Sequence, residues 1–156
     1  MKEKLLELLA CPTCGGDILM PYASKYENKE IIEAVLSCKK CSREYKVERG
    51  VPRFANLDKL SQDKAETADN FGWQWNHFTQ EDEKYNDQFL GWLQPVKPEF
   101  FKDKLVLEGG CGKGRHTSLA AHWGAKEVVG IDLSSAVESA FQATKHLPNA
   151  HIVQAD

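Results

Sequence analysis

The stretch Leu105-Val106-Leu107-Glu108-Gly109-Gly110-Cys111-Gly112-Lys113-Gly114-Arg115-His116 decides how this chain is read. A short apolar run closed by an acid reads as a buried strand. A glycine-rich turn follows, and Thr117-Ser118-Leu119-Ala120-Ala121 opens a helical pattern. Strand, glycine turn and helix in that order form the setting in which a nucleotide-like ligand is gripped. Glycine lets the main chain approach a ligand closely, and the unpaired N–H groups of the following helix start face it.

Downstream the pattern alternates. Lys104–Glu108 is expected as a first strand and about Lys113–Trp123 as a first helix. Glu127–Ile131 is the second strand, closed by Asp132. Ser134 or Ser135 starts a helix to about His146, Pro148-Asn149 breaks it, and His151–Gln154 is the third strand, ending in Ala155-Asp156. This β-α-β-α-β order predicts a parallel sheet with right-handed crossovers and a ligand outside the carboxyl ends of its strands. Glu108, Asp132 and Asp156 occupy those three ends.

The acids narrow the ligand. Asp132 lies about twenty residues past the glycines, where a carboxylate accepts both ribose hydroxyls. Gly112-Lys113-Gly114-Arg115-His116-Thr117 lacks the second glycine spacing of a dinucleotide site, and an acid before the glycines repels a pyrophosphate. Glu108 suits a cationic amino group instead, which favours S-adenosylmethionine over NAD or FAD.

Four of the five cysteines stand as Cys11-Pro12-Thr13-Cys14 and Cys38-Lys39-Lys40-Cys41. Two C-x-x-C pairs a couple of dozen residues apart match a structural Zn²⁺ site with no open coordination position. Ile18-Leu19-Met20 and Ile31–Leu36 are the expected hairpin strands, with Glu27–Glu30 as its polar tip. A unit of about fifty residues with few large apolar side chains needs such a staple. Disulfides are disfavoured because Met1–Ala10 is a poor signal peptide and the chain reads as cytoplasmic. No apolar run approaches the roughly 18 residues of a membrane helix, so no membrane partner is expected.

The net charge of −3 is unevenly spread. Residues 1–54 hold ten basic and eight acidic side chains, 55–101 four and nine, and 102–156 six of each. This is not the basic stripe of a dedicated nucleic-acid binder. Between the two patterned regions, Ala55–Asp69 is polar and reads as a linker or exposed helix. The aromatic-rich Asn70–Phe78 follows, and Thr79 is expected to cap a helix running to about Leu93. That helix carries Tyr85, Phe89, Trp92 and Leu93 on one face. Its aromatics either pack as a lid or, through Trp73, Trp75, His77 and Phe78, wall a pocket.

Two resemblances extend this reading. Cys-Pro-x-Cys-Gly-Gly, Cys-x-x-Cys and the closing Tyr45-Lys46-Val47-Glu48-Arg49-Gly50-Val51-Pro52-Arg53-Phe54 resemble the zinc ribbons of the tRNA and protein methyltransferase activator family, which implies a docking role. Glu108-x-Gly110-Cys111-Gly112-x-Gly114, Val129-Gly130-Ile131-Asp132-Leu133-Ser134 and Gln154-Ala155-Asp156 resemble three motifs of class I S-adenosylmethionine-dependent methyltransferases. Carried over, Glu108 meets the methionine amino group, Gly110 and Gly112 line the cofactor, and Asp132 holds the ribose hydroxyls. Leu133 packs near the adenine and Asp156 accepts from its amine.

The expected fold class is α/β: an N-terminal zinc ribbon (1–54), a helical linker or lid (55–101) and a truncated Rossmann-like parallel sheet (102–156). The family's sheet has further strands, so the chain is expected to be the N-terminal part of a longer methyltransferase, inactive as a piece, its acceptor (small molecule, RNA or protein) and catalytic residues unknown. An open edge on Lys104–Glu108 is expected to drive self-association or to weaken the fold. The alternative is a non-catalytic zinc-ribbon module for protein or RNA with a vestigial cofactor half.

Overall fold

A computed structural model describes residues 1–57, 60–78 and 84–156. After a 3₁₀ turn at Glu3–Glu7, the chain makes a four-stranded antiparallel sheet of β1 (Ile18–Glu27), β2 (Glu30–Cys38), β3 (Glu44–Glu48) and β4 (Val51–Pro52), in that order. The β1–β2 hairpin is longer than the apolar runs predict. It turns at Asn28 and Lys29, both at positive φ, which continues the right-handed twist of the strands. The face toward the rest of the chain buries Leu5, Ile18, Ile31, Leu36 and Val47 around Cys11 and Cys38.

Two helices follow, α1 (Gln62–His77) and α2 (Lys84–Leu93). The polar linker and the aromatic-rich stretch are thus largely one helix, starting after Ser61 in extended conformation. The expected cap Thr79 lies outside the described residues. A 3₁₀ turn at Pro98–Phe101 leads into β5 (Leu105–Gly109), α3 (Arg115–His122), β6 (Glu127–Asp132), α4 (Val137–Thr144) and β7 (Ala150–Gln154).

The three strands pair in parallel as β5-β6-β7, the topology the alternation predicts. Period-two alternation sends Val106, Val128 and Ile152 to the helices, where they meet Ala120, Ala121, Ala140 and Phe141. Val129, Ile131 and Val153 point to the other face, against Leu9 and Phe54 of the ribbon. The ribbon therefore takes the place of a helical layer on that side.

The two sheets also join edge to edge. Arg53 bridges Gln154 in parallel, and the Phe54 and Ala55 N–H groups donate to the Gln154 carbonyl at 2.8 and 3.1 Å. The junction carries charge pairs: Arg49 and Arg53 both hold Glu138 of α4. At the other edge, β5 pairs only with β6 among the described residues, and Leu105 and Leu107 are 64% and 69% exposed. Among the described residues no helix is long and apolar enough to cross a membrane.

Candidate functional site

The Sγ atoms of Cys11, Cys14, Cys38 and Cys41 all lie within 4.8 Å of one another, with Cys11–Cys41 at 3.7 Å and Cys14–Cys38 at 3.5 Å. Four thiolates at about 2.3 Å from a tetrahedral zinc sit about 3.8 Å apart, so the set fits that ion. All five cysteines are free thiols. The Lys40 N–H donates to Cys38 Sγ at 3.3 Å, and the Tyr45 hydroxyl lies 3.1 Å from Cys11 Sγ. That hydroxyl contact pulls the Cys11 thiol down to about 6. At Cys14, against the downward pull of the Gly16 backbone, burial and the neighbouring sulfurs push the thiol up to about 12, so the four thiols share their protons as one cluster. Cys111 stands apart from the cluster. It is buried beneath Gly130, and burial pushes its thiol up, so it packs the glycine turn and does not react.

The glycine turn behaves as its composition requires. Gly110 and Gly112 have φ of +70° and +51°, which a side chain would strain. The Gly112 N–H donates to Asp132 Oδ2 at 2.8 Å, while Asp132 Oδ1 accepts from Ser134 N and Oγ at 2.8 and 2.7 Å. Asp132 is thus held rigidly: Oδ1 already accepts two hydrogen bonds, and Oδ2 keeps a lone-pair direction for a further donor.

A cavity of about 600 Å³ opens at these strand ends. Gly109, Gly110, Asp132, Leu133, Ser134 and Asp156 form its floor and walls, and Phe71 and Trp75 of α1 form its roof. Lys64 of α1 binds both Asp156 carboxylate oxygens at 2.5 Å. The roof is seated by Asn76, which accepts from Ser139 Oγ at 2.5 Å and donates to Ser135 Oγ at 3.2 Å. At the same contact, buried Gly72 lies so close that a Cβ would stand 2.4 Å from Ser135 Oγ.

Gly110, Asp132, Leu133 and Asp156 therefore meet around one cavity. Gly112 touches it only through Asp132 and packs on Trp75. Glu108 is placed differently. Its carboxylate turns to the first turn of α3, where Thr117 Oγ1 donates to one oxygen and His116 Nδ1 lies 3.3 Å from the other. It lines a second cavity of about 320 Å³ beside Phe89, Leu93 and Phe101. His116 stacks flat on Phe89 at 3.9 Å, which keeps this arrangement in place.

Of the four aromatic candidates for a pocket wall, Trp75 lines this cavity, while outside its lining Trp73 stacks on His77 and meets Phe78 edge to face. Sequence reasoning gave no site role to Lys64, Phe71, Gly72 or Ser134, although Ser134 closes the second motif and Phe71 and Gly72 lie in the aromatic-rich stretch.

Residues 2–50 match the family profile described as Trm112p-like protein, and residues 107–156 match that described as Methyltransferase domain. The chain is 52% identical over 42 residues to protein arginine N-methyltransferase 1 of Saccharomyces cerevisiae, covering 27% of this chain and 12% of that protein. It is 41% identical over 58 residues to the human 7SK snRNA methylphosphate capping enzyme, covering 36% of this chain and 8% of that one. Among solved structures, the Trypanosoma brucei PRMT1 enzyme–prozyme heterotetramer with AdoHcy aligns at 37% identity and a TM-score of 0.35, covering 36% of this chain and 19% of that one. The chain thus spans about an eighth or less of the length of these curated relatives. Residues 2–50 are Trm112p-like and residues 107–156 carry methyltransferase-domain sequence, joined in one polypeptide.

Proposed function

We propose that this chain carries the cofactor-binding part of an S-adenosylmethionine-dependent methyltransferase, with a structural zinc ribbon seated on its sheet. On this reading residues 1–54 form the ribbon, 55–101 the lid and 102–156 the cofactor-binding half. The observation that carries it is the cavity at the strand ends, floored by the glycine turn and walled by Asp132, Leu133 and Asp156. When bound, the cofactor supplies a methyl group on a sulfonium. Asp132 accepts from the ribose hydroxyls, one at the open position of Oδ2 and one in place of Ser134 Oγ, while the Gly112 and Ser134 N–H groups hold the carboxylate. Leu133 packs on the adenine from one side and Phe71 or Trp75 from the other, and Asp156 accepts the adenine amine in place of Lys64. Bare backbone at Gly110 admits the methionyl arm.

Glu108 holds the first turn of α3 through Thr117 and His116 and keeps negative charge beside that arm, so its role in meeting the amino group is exerted from the neighbouring cavity. Cys11, Cys14, Cys38 and Cys41 hold Zn²⁺ and perform no chemistry, since four thiolates close the coordination sphere. Calorimetric titration of the chain with S-adenosylhomocysteine tests the reading. One-to-one binding that disappears in Asp132→Ala, with zinc retained, is expected. No heat of binding by the unaltered, zinc-loaded chain would overturn it and favour a non-catalytic interaction module.

A further inference from the structure

Gln154 is buried on β7, and its polar groups span the junction between ribbon and cavity. Its side-chain oxygen accepts from Arg53 Nη1 at 3.0 Å. Its amide nitrogen donates to the Leu133 carbonyl at 2.9 Å and reaches that of Ser134 at 3.4 Å. Its backbone carbonyl takes the N–H groups of Phe54 and Ala55. We propose that Gln154 is a positioning residue that ties the nucleoside wall of the cavity to the ribbon, a role that rests on the cofactor reading above.

The chemistry is specific to a carboxamide. One planar group offers an acceptor to a guanidinium and a donor to a carbonyl, on opposite sides. Arg53 is itself fixed, with Nη2 on Glu138 Oε1 at 2.5 Å and on the Glu48 carbonyl at 3.1 Å. The Leu133–Ser134 turn, held from behind by Gln154, sets two cavity features together. It places the Leu133 side chain, and through Ser134 N and Oγ it orients the Asp132 carboxylate. The Ala155 N–H, next in the chain, donates to the Asp132 carbonyl at 3.1 Å, so Asp156 is referred to the same frame.

Gln154→Glu separates positioning from mere structure. A carboxylate keeps, and strengthens, the bond from Arg53 but has nothing to donate to Leu133. The test is calorimetric titration of the zinc-loaded chain with S-adenosylhomocysteine and with S-inosylhomocysteine, which lacks the ring amine, alongside thermal melting. The unaltered chain is expected to prefer the adenine compound. Gln154→Glu is expected to melt somewhat lower, because the Leu133 carbonyl loses its donor, yet to bind that compound about tenfold more weakly and to discriminate less between the two ligands. Gln154→Leu, which breaks both contacts, loses affinity and melting temperature together. Undiminished binding in Gln154→Glu overturns the inference and leaves the cofactor reading standing. So does a loss that tracks a fall in melting temperature with the ratio of the two ligands unchanged. No binding of either ligand by the unaltered chain overturns both.

Discussion

Gly72→Ala sets two opposing effects against each other on the lid helix. Alanine in a helix interior is favoured over glycine by about 1 kcal/mol. The added Cβ would meet Ser135 Oγ at 2.4 Å and Ser135 N at 3.1 Å, where ordinary contact begins near 3.4 Å. Relief needs α1 to rise by about 1 Å, a shift that forfeits between a quarter and a half of a dispersion contact. An aromatic ring stacked on a base contributes roughly 2 kcal/mol, so Phe71 and Trp75 would lose about 0.5–1 kcal/mol of hold on the adenine. The expected result is a melting temperature near that of the unaltered chain and a two- to fivefold weaker affinity for S-adenosylhomocysteine, measured by calorimetry. Removing the obstructing hydroxyl in the double variant Gly72→Ala/Ser135→Ala should restore most of the affinity. Unchanged affinity in the single variant, or no rescue in the double, would refute the geometry on which the roof rests.

Three further outcomes are expected. Cys38→Ser should abolish stoichiometric zinc and unfold the ribbon, seen as protease cleavage within residues 1–54, because a structural zinc supplies about 10–16 kcal/mol. Gly50→Ala should cost about 2–4 kcal/mol in urea melts, from its φ of +84° plus a Cβ only 2.3 Å from Phe141 Cζ, whereas Gly15→Ala, at +66° with nothing within 4 Å, should cost about 1. Equal losses would show that Phe141 does not seat the ribbon. Burial holds the His151 imidazole below its ordinary range despite Nε2 lying 2.8 Å from Glu127. The unfolded side chain takes up a proton near pH 6.5 and the folded one resists it, so stability should be full above that pH. It should fall by up to about 1.4 kcal/mol per unit as pH drops toward the folded value. A flat profile between pH 7.5 and 5.5 at this position, judged against His151→Gln, would count against a neutral buried ring.

Local signals carried much of this molecule. Cysteine spacing announces the four-thiol cluster because two short loops are enough to set four sulfurs together. Strand, glycine turn and helix announce the edge where the cavity opens because φ > 0 and an unpaired helix start are local properties. Alternating apolar residues sort the two faces of the parallel sheet for the same reason. The lid helix is less legible. Its apolar residues follow no clean helical stripe, since one face covers a cavity and the other meets solvent.

The chain alone determined a zinc-ribbon-like hairpin, a β-α-β-α-β unit and acids at its strand ends, all set by contacts between near neighbours in sequence. Tertiary structure decided which acids face one cavity, because Glu108 lies within reach of Thr117 and His116 and turns to them, while Asp132 and Asp156 remain under α1. It also decided that the ribbon covers its own sheet through Arg53 and Gln154, a pairing a hundred residues apart that no periodicity encodes. A side chain's direction depends on its competing partners in space, and those partners exist only once the fold has closed.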